Sequence, residues 1–360
     1  MRLRVVALLA AIAPPALGQR QATRLVEPPP SVLAAVDSAV YEAHLRFLSD
    51  DLLEGRSPGS RGGDLAARYI ATQFAAAGLK PVWDAGYLQR VQLLGAASEA
   101  SLVVGAGRRT IVLDAGTDFV AWPAQPDSVV ILDADLVFGG YGIEAPEWGW
   151  RDFEPGAVAG KVVMVRPGEP GGAADSTLFR GRAATRHSRW VAKLDYAARA
   201  GAAGILFIHS PEAGRGPWAA VRSKWQRETF LPERASLHGL RFAAWISADA
   251  ARRIVEATGR DYDLLMRRAD VVGFSAIDLD ARVAVDMRSR FRSLVTPNVV
   301  GMLGAPSAGT DGAVLLVGHY DHLGIGPPVD GDSVYNGAVD NASGIAGLLT
   351  LARAMAAAPR

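Results

Sequence analysis

Apolar positions along the chain fall into two periods. One helix starts near Ser31 and another near Tyr41, to which Leu45, Phe47, Leu48, Leu52 and Leu53 give apolar faces at helical spacing. Ala66, Ile70, Phe74 and Ala77 form one stripe over 64–77, which Gly78 can cap and Pro81 stops. Val191 to Ala200 predicts a further helix, leading through Gly201 and Gly204 into the strand 205–208. Ile345, Leu348, Leu349, Ala352 and Met355 predict a last helix over about 342–358. Strand-like pieces lie at 88–94, 102–104, 110–113, 129–132, 136–138 and 160–168. Val283, Val285 and Met287 alternate with Arg282, Asp286 and Arg288, a half-exposed strand whose extension sets Arg288, Arg290 and Arg292 on one solvated face. Ala313 to Val317 is short, apolar and without alternation, which predicts a strand buried on both faces of a parallel sheet.

Chemistry gathers around that last run. Gly318 ends it, and His319, Tyr320, Asp321 and His322 follow at its carboxyl end, where open α/β sheets hold their ligands. A second polar knot, Asp340-Asn341-Ala342-Ser343-Gly344, stands just before the last helix. In extended backbone, residues two apart point the same way. His319 and Asp321 then share a face, and Asp321 can hold the ring nitrogen that His319 does not offer to a metal. Asp340 is a hard oxygen ligand able to bridge two cations, and imidazole with carboxylate suits zinc. Taken singly, His319 reads as a hydrogen-bonded strand-end histidine and Asp340 as a helix cap. Both clusters in one context favour the metal.

Other stretches carry less. The loop 54–63, Glu-Gly-Arg-Ser-Pro-Gly-Ser-Arg-Gly-Gly, lacks the lysine and the preceding strand of a phosphate cradle. His187, His209 and His238 have no metal-ligand spacing around them and read as structural or surface residues. Trp148, Trp150, Trp190, Trp218 and Trp225 are candidates for peptide contact, with packing the better reading.

The 360 residues suffice for two ordinary domains. With 38 basic and 37 acidic residues, nothing points to nucleic acid or a membrane surface as partner. The absence of cysteine excludes disulfides and thiolate metal sites. Arg2 and Arg4, the apolar run Val5 to Ala13, Pro14-Pro15 and the small residues at 16–18 read as a secretory signal peptide over 1–18. A hydrophobic N-terminal anchor is the alternative. A proline-rich lead-in over 19–30 follows.

GHYDHLG followed by YNGAVDNASG resembles the metal site of the co-catalytic zinc aminopeptidases, metallopeptidase family 28. The resemblance implies that His319 binds one ion of a zinc pair, that Asp321 orients it as a catalytic residue, and that Asp340 bridges both ions. It also implies a cis peptide between Asp340 and Asn341. His322 is not a ligand position of that family. A general-base glutamate and the remaining ligands would follow residue 360, so the chain reads as an N-terminal fragment, inactive by itself. The segments 139–153, 160–168 and 191–208 resemble the protease-associated domain, and 296–301 resembles the return to the catalytic sheet. The expected fold is therefore α/β. A mixed, mostly parallel sheet with flanking helices is built from 31–125 and 294–360, and an inserted α+β domain spans 126–293. The implied function is a secreted or periplasmic zinc exopeptidase acting on peptides, without stable membrane association. The alternatives are a non-catalytic peptide-binding or receptor-like protein on the same scaffold, or another metallohydrolase such as a carboxypeptidase, amidase or cyclotransferase.

Overall fold

The computed structural model describes residues 27, 30–154, 156–171, 177–211, 216–232, 237, 239–304 and 314–357. The expected signal peptide, nearly all of the lead-in, His238 and Ala313 lie outside the described residues.

The chain opens with the helices α1 (Pro30–Ala34), α2 (Ser38–Leu48) and α3 (Arg61–Ala76). Asp37 and Ser60 accept from backbone N–H groups at the starts of α2 and α3. A run of strands follows: β1 (Lys80–Pro81), β2 (Leu88–Ala106), β3 (Arg109–Leu113), β4 (Phe119–Pro123), β5 (Val129–Phe138), β6 (Glu144–Ala145), β7 (Trp150–Arg151) and β8 (Val162–Val165). Next come α4 (Trp190–Arg199), β9 (Gly204–Ile208), α5 (Trp218–Trp225), β10 (Thr229–Pro232), β11 (Phe242–Ile246), α6 (Ala248–Ala257) and α7 (Tyr262–Arg268). The chain closes with β12 (Ile277–Val299), β13 (Gly301–Met302), β14 (Gly324–Val329), β15 (Asp332–Tyr335) and α8 (Ser343–Ala356).

The architecture is mixed α/β. One nine-stranded sheet runs β10-β2-β12-β5-β8-β9-β11-β4, with β3 against β2. Its middle, β5-β8-β9-β11, is parallel, and the flanks are antiparallel. The parallel strands β8, β9 and β11 are buried at every position. Their side chains alternate between two cores, and this is why they read as continuous apolar runs. Val162, Met164, Leu206 and Ile246 face one core, covered by Ala250 and Ile254 of α6. Val163, Val165, Ile205, Phe207 and Trp245 face the other, covered by Leu194 and Ala197 of α4.

The strand pieces expected at 88–94 and 102–104 are one strand of 19 residues. Gly95, Ser98 and Ser101 weaken the local signal, but β12 pairs with β2 from Leu88↔Val299 to Ala106↔Ala281 and supplies the ladder. The Ser98 and Ser289 hydroxyls hydrogen-bond across it at 2.8 Å. Residues 128 and 289 lie side by side, the Ser289 N–H donating to Ser128 O at 2.9 Å. The alternation expected at 283–287 is present, and the arginine face is exposed but paired, with Arg282 on Asp133 and Asp135 and Arg292 on Glu228.

The tryptophans pack rather than stand free. Trp122 stacks on Trp225 at 4.0 Å between ring centroids, Trp148 stacks on Phe179, and the Trp218 indole N–H donates to Gly116 O. His187 is buried between the Glu147 carboxylate and the Tyr196 hydroxyl, and the His209 ring meets Gly216 O.

One expectation is corrected. Val314 to Val317 form no strand and are exposed, Val314 to 90%. A strand buried on both faces needs hydrogen-bonded neighbours and covering helices. Among the described residues none pairs with this segment, and the nearby β13 pairs only with the two-residue β1. A third, smaller core of Leu48, Leu53, Ile70, Phe74, Ile345 and Leu349 joins α2, α3 and α8 below these residues.

Candidate metal site

The site is assembled on that third core from four segments. The first is the turn Asp51–Arg56 between α2 and α3. Glu54, Gly55 and Arg56 are all left-handed, with φ of 51°, 64° and 54°. Gly55 is required by contact as well as by φ. A Cβ there would lie 2.6 Å from both Gly324 O and Tyr335 O. The turn therefore presses against the β14–β15 hairpin and drives the Arg56 side chain inward, where it is fully buried.

The second segment, 318–323, is irregular. Tyr320 anchors it, its hydroxyl donating to Pro297 O at 2.7 Å at the end of β12. Burial raises the Tyr320 pKa and keeps that hydroxyl a donor. The His322 N–H donates to Arg56 O, and the His322 ring meets Tyr335 O at 2.8 Å through Nδ1. Burial lowers the pKa of His322, which favours a neutral ring donating from Nδ1.

The third segment, 336–342, carries Asp340. Gly337 turns left-handed beside Arg56, and the Asn336 side-chain amide donates to Ser49 O and to Asp51. The peptide Asp340–Asn341 is cis, as the family resemblance implies. Asp340 does not cap α8. The N-cap position is Ala342, without a side-chain bond, and Asp340 instead turns toward His319. Asn341 donates through Nδ2 to His319 O at 3.2 Å and ties the two loops together.

The structure brings all three predicted residues together. His319 Nε2 lies 3.0 Å from Asp340 Oδ1. His319 Nδ1 lies 3.1 Å from Asp321 O and 3.5 Å from Asp321 Oδ1. Asp321 therefore faces the expected nitrogen, with its main-chain carbonyl nearer than its carboxylate. The side chains of His319 and Asp321 are about half exposed and that of Asp340 mostly so.

The fit to zinc can be tested on the donor set. Two ligands at ~2.0–2.1 Å in tetrahedral geometry stand about 3.3 Å apart, close to the observed His319–Asp340 separation. Their types are right as well. Their number is not: among the described residues no three His, Cys, Asp or Glu side chains are arranged to hold a metal ion. A catalytic zinc takes three protein ligands and a water.

Arg56 is the part of the site that sequence reasoning missed. Its signal was slight, one of two arginines among the glycines and proline of 54–63. Its guanidinium donates to Leu48 O, Tyr320 O, Asn336 O and Gly337 O. Burial lowers its pKa, and the charges of Asp321 and Asp340 raise it again.

The last segment comes from before β10. Arg227 donates to Leu323 O and stacks over the Tyr335 ring at 4.2 Å, so the large sheet touches the hairpin under the site.

Comparison with known proteins agrees with the motif. Residues 298–360, which include His319, Asp321 and Asp340, match the family model Peptidase family M28. The segment that carries the site is thus M28-like. Among solved structures, the chain is similar to an aminopeptidase from Aneurinibacillus sp. strain AM-1, 17% identical with a TM-score of 0.41, over 91% of this chain and 60% of that one. It is also similar to a peptidase M28 precursor from Shewanella amazonensis SB2B, 17% identical with a TM-score of 0.44, over 92% and 63%. A zinc aminopeptidase from Bacillus subtilis is 15% identical with a TM-score of 0.38, over 90% and 59%. The chain spans about 60% of the length of these solved chains. No curated protein matches it.

Proposed function

We propose that His319 and Asp340 are zinc ligands of a peptidase that removes N-terminal residues from peptides, with Asp321 orienting His319. The observation that carries this reading is that both ring nitrogens of His319 face oxygen acceptors. A neutral imidazole has one N–H. In either tautomer one ring nitrogen presents its lone pair to an oxygen, an arrangement that a bound cation would relieve. Asp340 is not occupied as a helix cap, which leaves its carboxylate for this role.

When bound, zinc supplies Lewis-acid polarisation of a carbonyl and a water of lowered pKa. The chain's own residues supply orientation. Asp321 holds Nδ1 so that Nε2 points outward, and Asn341 holds the His319 carbonyl. Residues 126–293 would form the inserted protease-associated domain of 31–125 and 294–360. The protein would be secreted or periplasmic through the leader at 1–18. No described helix is long and apolar enough to cross a membrane.

The test is a zinc titration of the 360-residue chain, of His319→Ala and of Asp340→Ala, with aminoacyl-nitroanilide hydrolysis assayed in parallel. Zinc binding is expected in the unaltered chain and not in either variant. No turnover is expected from a two-ligand site. Equal zinc affinity in all three proteins would overturn the ligand assignment. Turnover that survives His319→Ala would overturn the mechanism.

A further inference from the structure

We infer that Arg56 is the positioning residue of this site, setting the gap between the loop that carries His319 and the loop that carries Asp340. The inference rests on the zinc reading of those two residues.

Arg56 is fully buried, and among the described residues no carboxylate lies within ion-pair distance of it. Its guanidinium is held by main-chain carbonyls from three separate parts of the chain. Leu48 O comes from the end of α2, Tyr320 O at 2.7 Å from the first loop, and Asn336 O at 2.6 Å and Gly337 O at 3.0 Å from the second. Tyr320 lies between His319 and Asp321, and Gly337 stands three residues before Asp340. The Arg56 carbonyl also accepts from the His322 N–H.

A buried cation without a counter-ion is a poor way to gain stability, since an apolar side chain of similar volume does as well or better. What the guanidinium adds is geometry. Its donors lie in one rigid plane and fix the acceptors relative to one another, which a lysine ammonium cannot do. Here the fixed acceptors belong to the two loops whose side chains meet 3.0 Å apart. The left-handed turn at 54–56 delivers the side chain, and the bare Gly337 makes room for it, since a Cβ there would lie 2.8 Å from Arg56 Nη2.

The experiment compares zinc affinity and segment-resolved hydrogen exchange for the full chain, Arg56→Ala and Arg56→Lys, with and without millimolar guanidinium. Arg56→Lys is expected to fold and to bind zinc roughly tenfold more weakly. Arg56→Ala is expected to lose up to about a hundredfold and to recover in part with guanidinium. Exchange should rise at 319–323 and 334–342 while α3 and β12 keep their protection. Zinc affinity within twofold of the unaltered chain in both variants would overturn the inference. So would exchange that rises equally through α3, the mark of a general folding role. If the unaltered chain binds no zinc, the ligand reading fails by itself. Guanidinium-reversible exchange at the two loops then still supports the positioning role, and exchange insensitive to guanidinium refutes it.

Discussion

Two buried cations hold two different kinds of structure. In the large sheet, Lys193 of α4 donates to Tyr141 O and Gly168 O, beside the buried carboxylate of Asp152. In the smaller unit, Arg56 donates to four carbonyls beneath exposed Asp321 and Asp340. Around Lys193 the structure is determined many times over, by ladders on both sides and two apolar cores. Around Arg56 three of the four acceptors sit in irregular loops, outside any strand ladder. The same device therefore has different consequences. A side chain lost from the sheet removes stability, whereas a side chain lost beneath the loops removes alignment. This division suits side chains as exposed as those of His319 and Asp340, which apolar packing cannot hold in place.

The largest effect expected from this contrast is at Phe207, fully buried between Trp122 and Trp245. Phe207→Ala should cost about 3–5 kcal/mol in urea unfolding, while zinc binding per folded molecule stays unchanged. Altered zinc affinity there would mean that the two regions are coupled.

Next is Asp152. Burial first of all raises its pKa, to about 6, against the opposing pull of the Ile143 N–H, Lys193 and the Trp150 indole. Because the folded value lies above the unfolded one, the folded state holds its proton to higher pH. The contribution to stability is full below about pH 4 and is lost as pH rises through about 6, some 2–3 kcal/mol in all. Stability measured against pH should fall over that window, and Asp152→Asn should flatten the slope.

A smaller cost is expected at Gly55. A methyl group there meets Gly324 O and Tyr335 O in a left-handed backbone. Gly55→Ala should cost about 1–3 kcal/mol and weaken zinc binding together with stability, unlike any change in the sheet. Unaltered zinc affinity would separate the hairpin from the site.

The smallest effect on stability belongs to Asp340, whose side chain is mostly exposed. Asp340→Asn should stay within about 0.5 kcal/mol of the unaltered chain in unfolding and yet abolish zinc binding. A large loss of stability would make the carboxylate structural.

Much of this was legible in the residues. The stripe Ala66, Ile70, Phe74 lies on α3, and Ile345 and Leu349 lie on α8, because each helix buries one face and the period records it. The run 205–208 is a strand buried on both faces, and the alternation at 283–287 is a strand with one exposed face. Where the reading failed, the deciding partner lay elsewhere. The run 314–317 has the composition of a central strand, but composition cannot provide the neighbours that would pair it. Gly95 and Ser98 look like interruptions until β12 is laid beside them. The tryptophans offered no sign of which were packed, because stacking depends on rings brought from α4, α5 and β4 together.

At the site the division is clearer still. The residue types and the order of His319, Asp321 and Asp340 are local properties, and the sequence alone determined them, together with the donor chemistry they imply. That Asp340 turns toward His319 rather than capping a helix was decided by the tertiary structure. So was the burial of Arg56, more than 260 residues before its acceptors at Tyr320, Asn336 and Gly337. The physical reason is the range of the interactions. Periodicity and ligand type are written within a few residues of one another, whereas a buried guanidinium finds its acceptors only after separate segments have met.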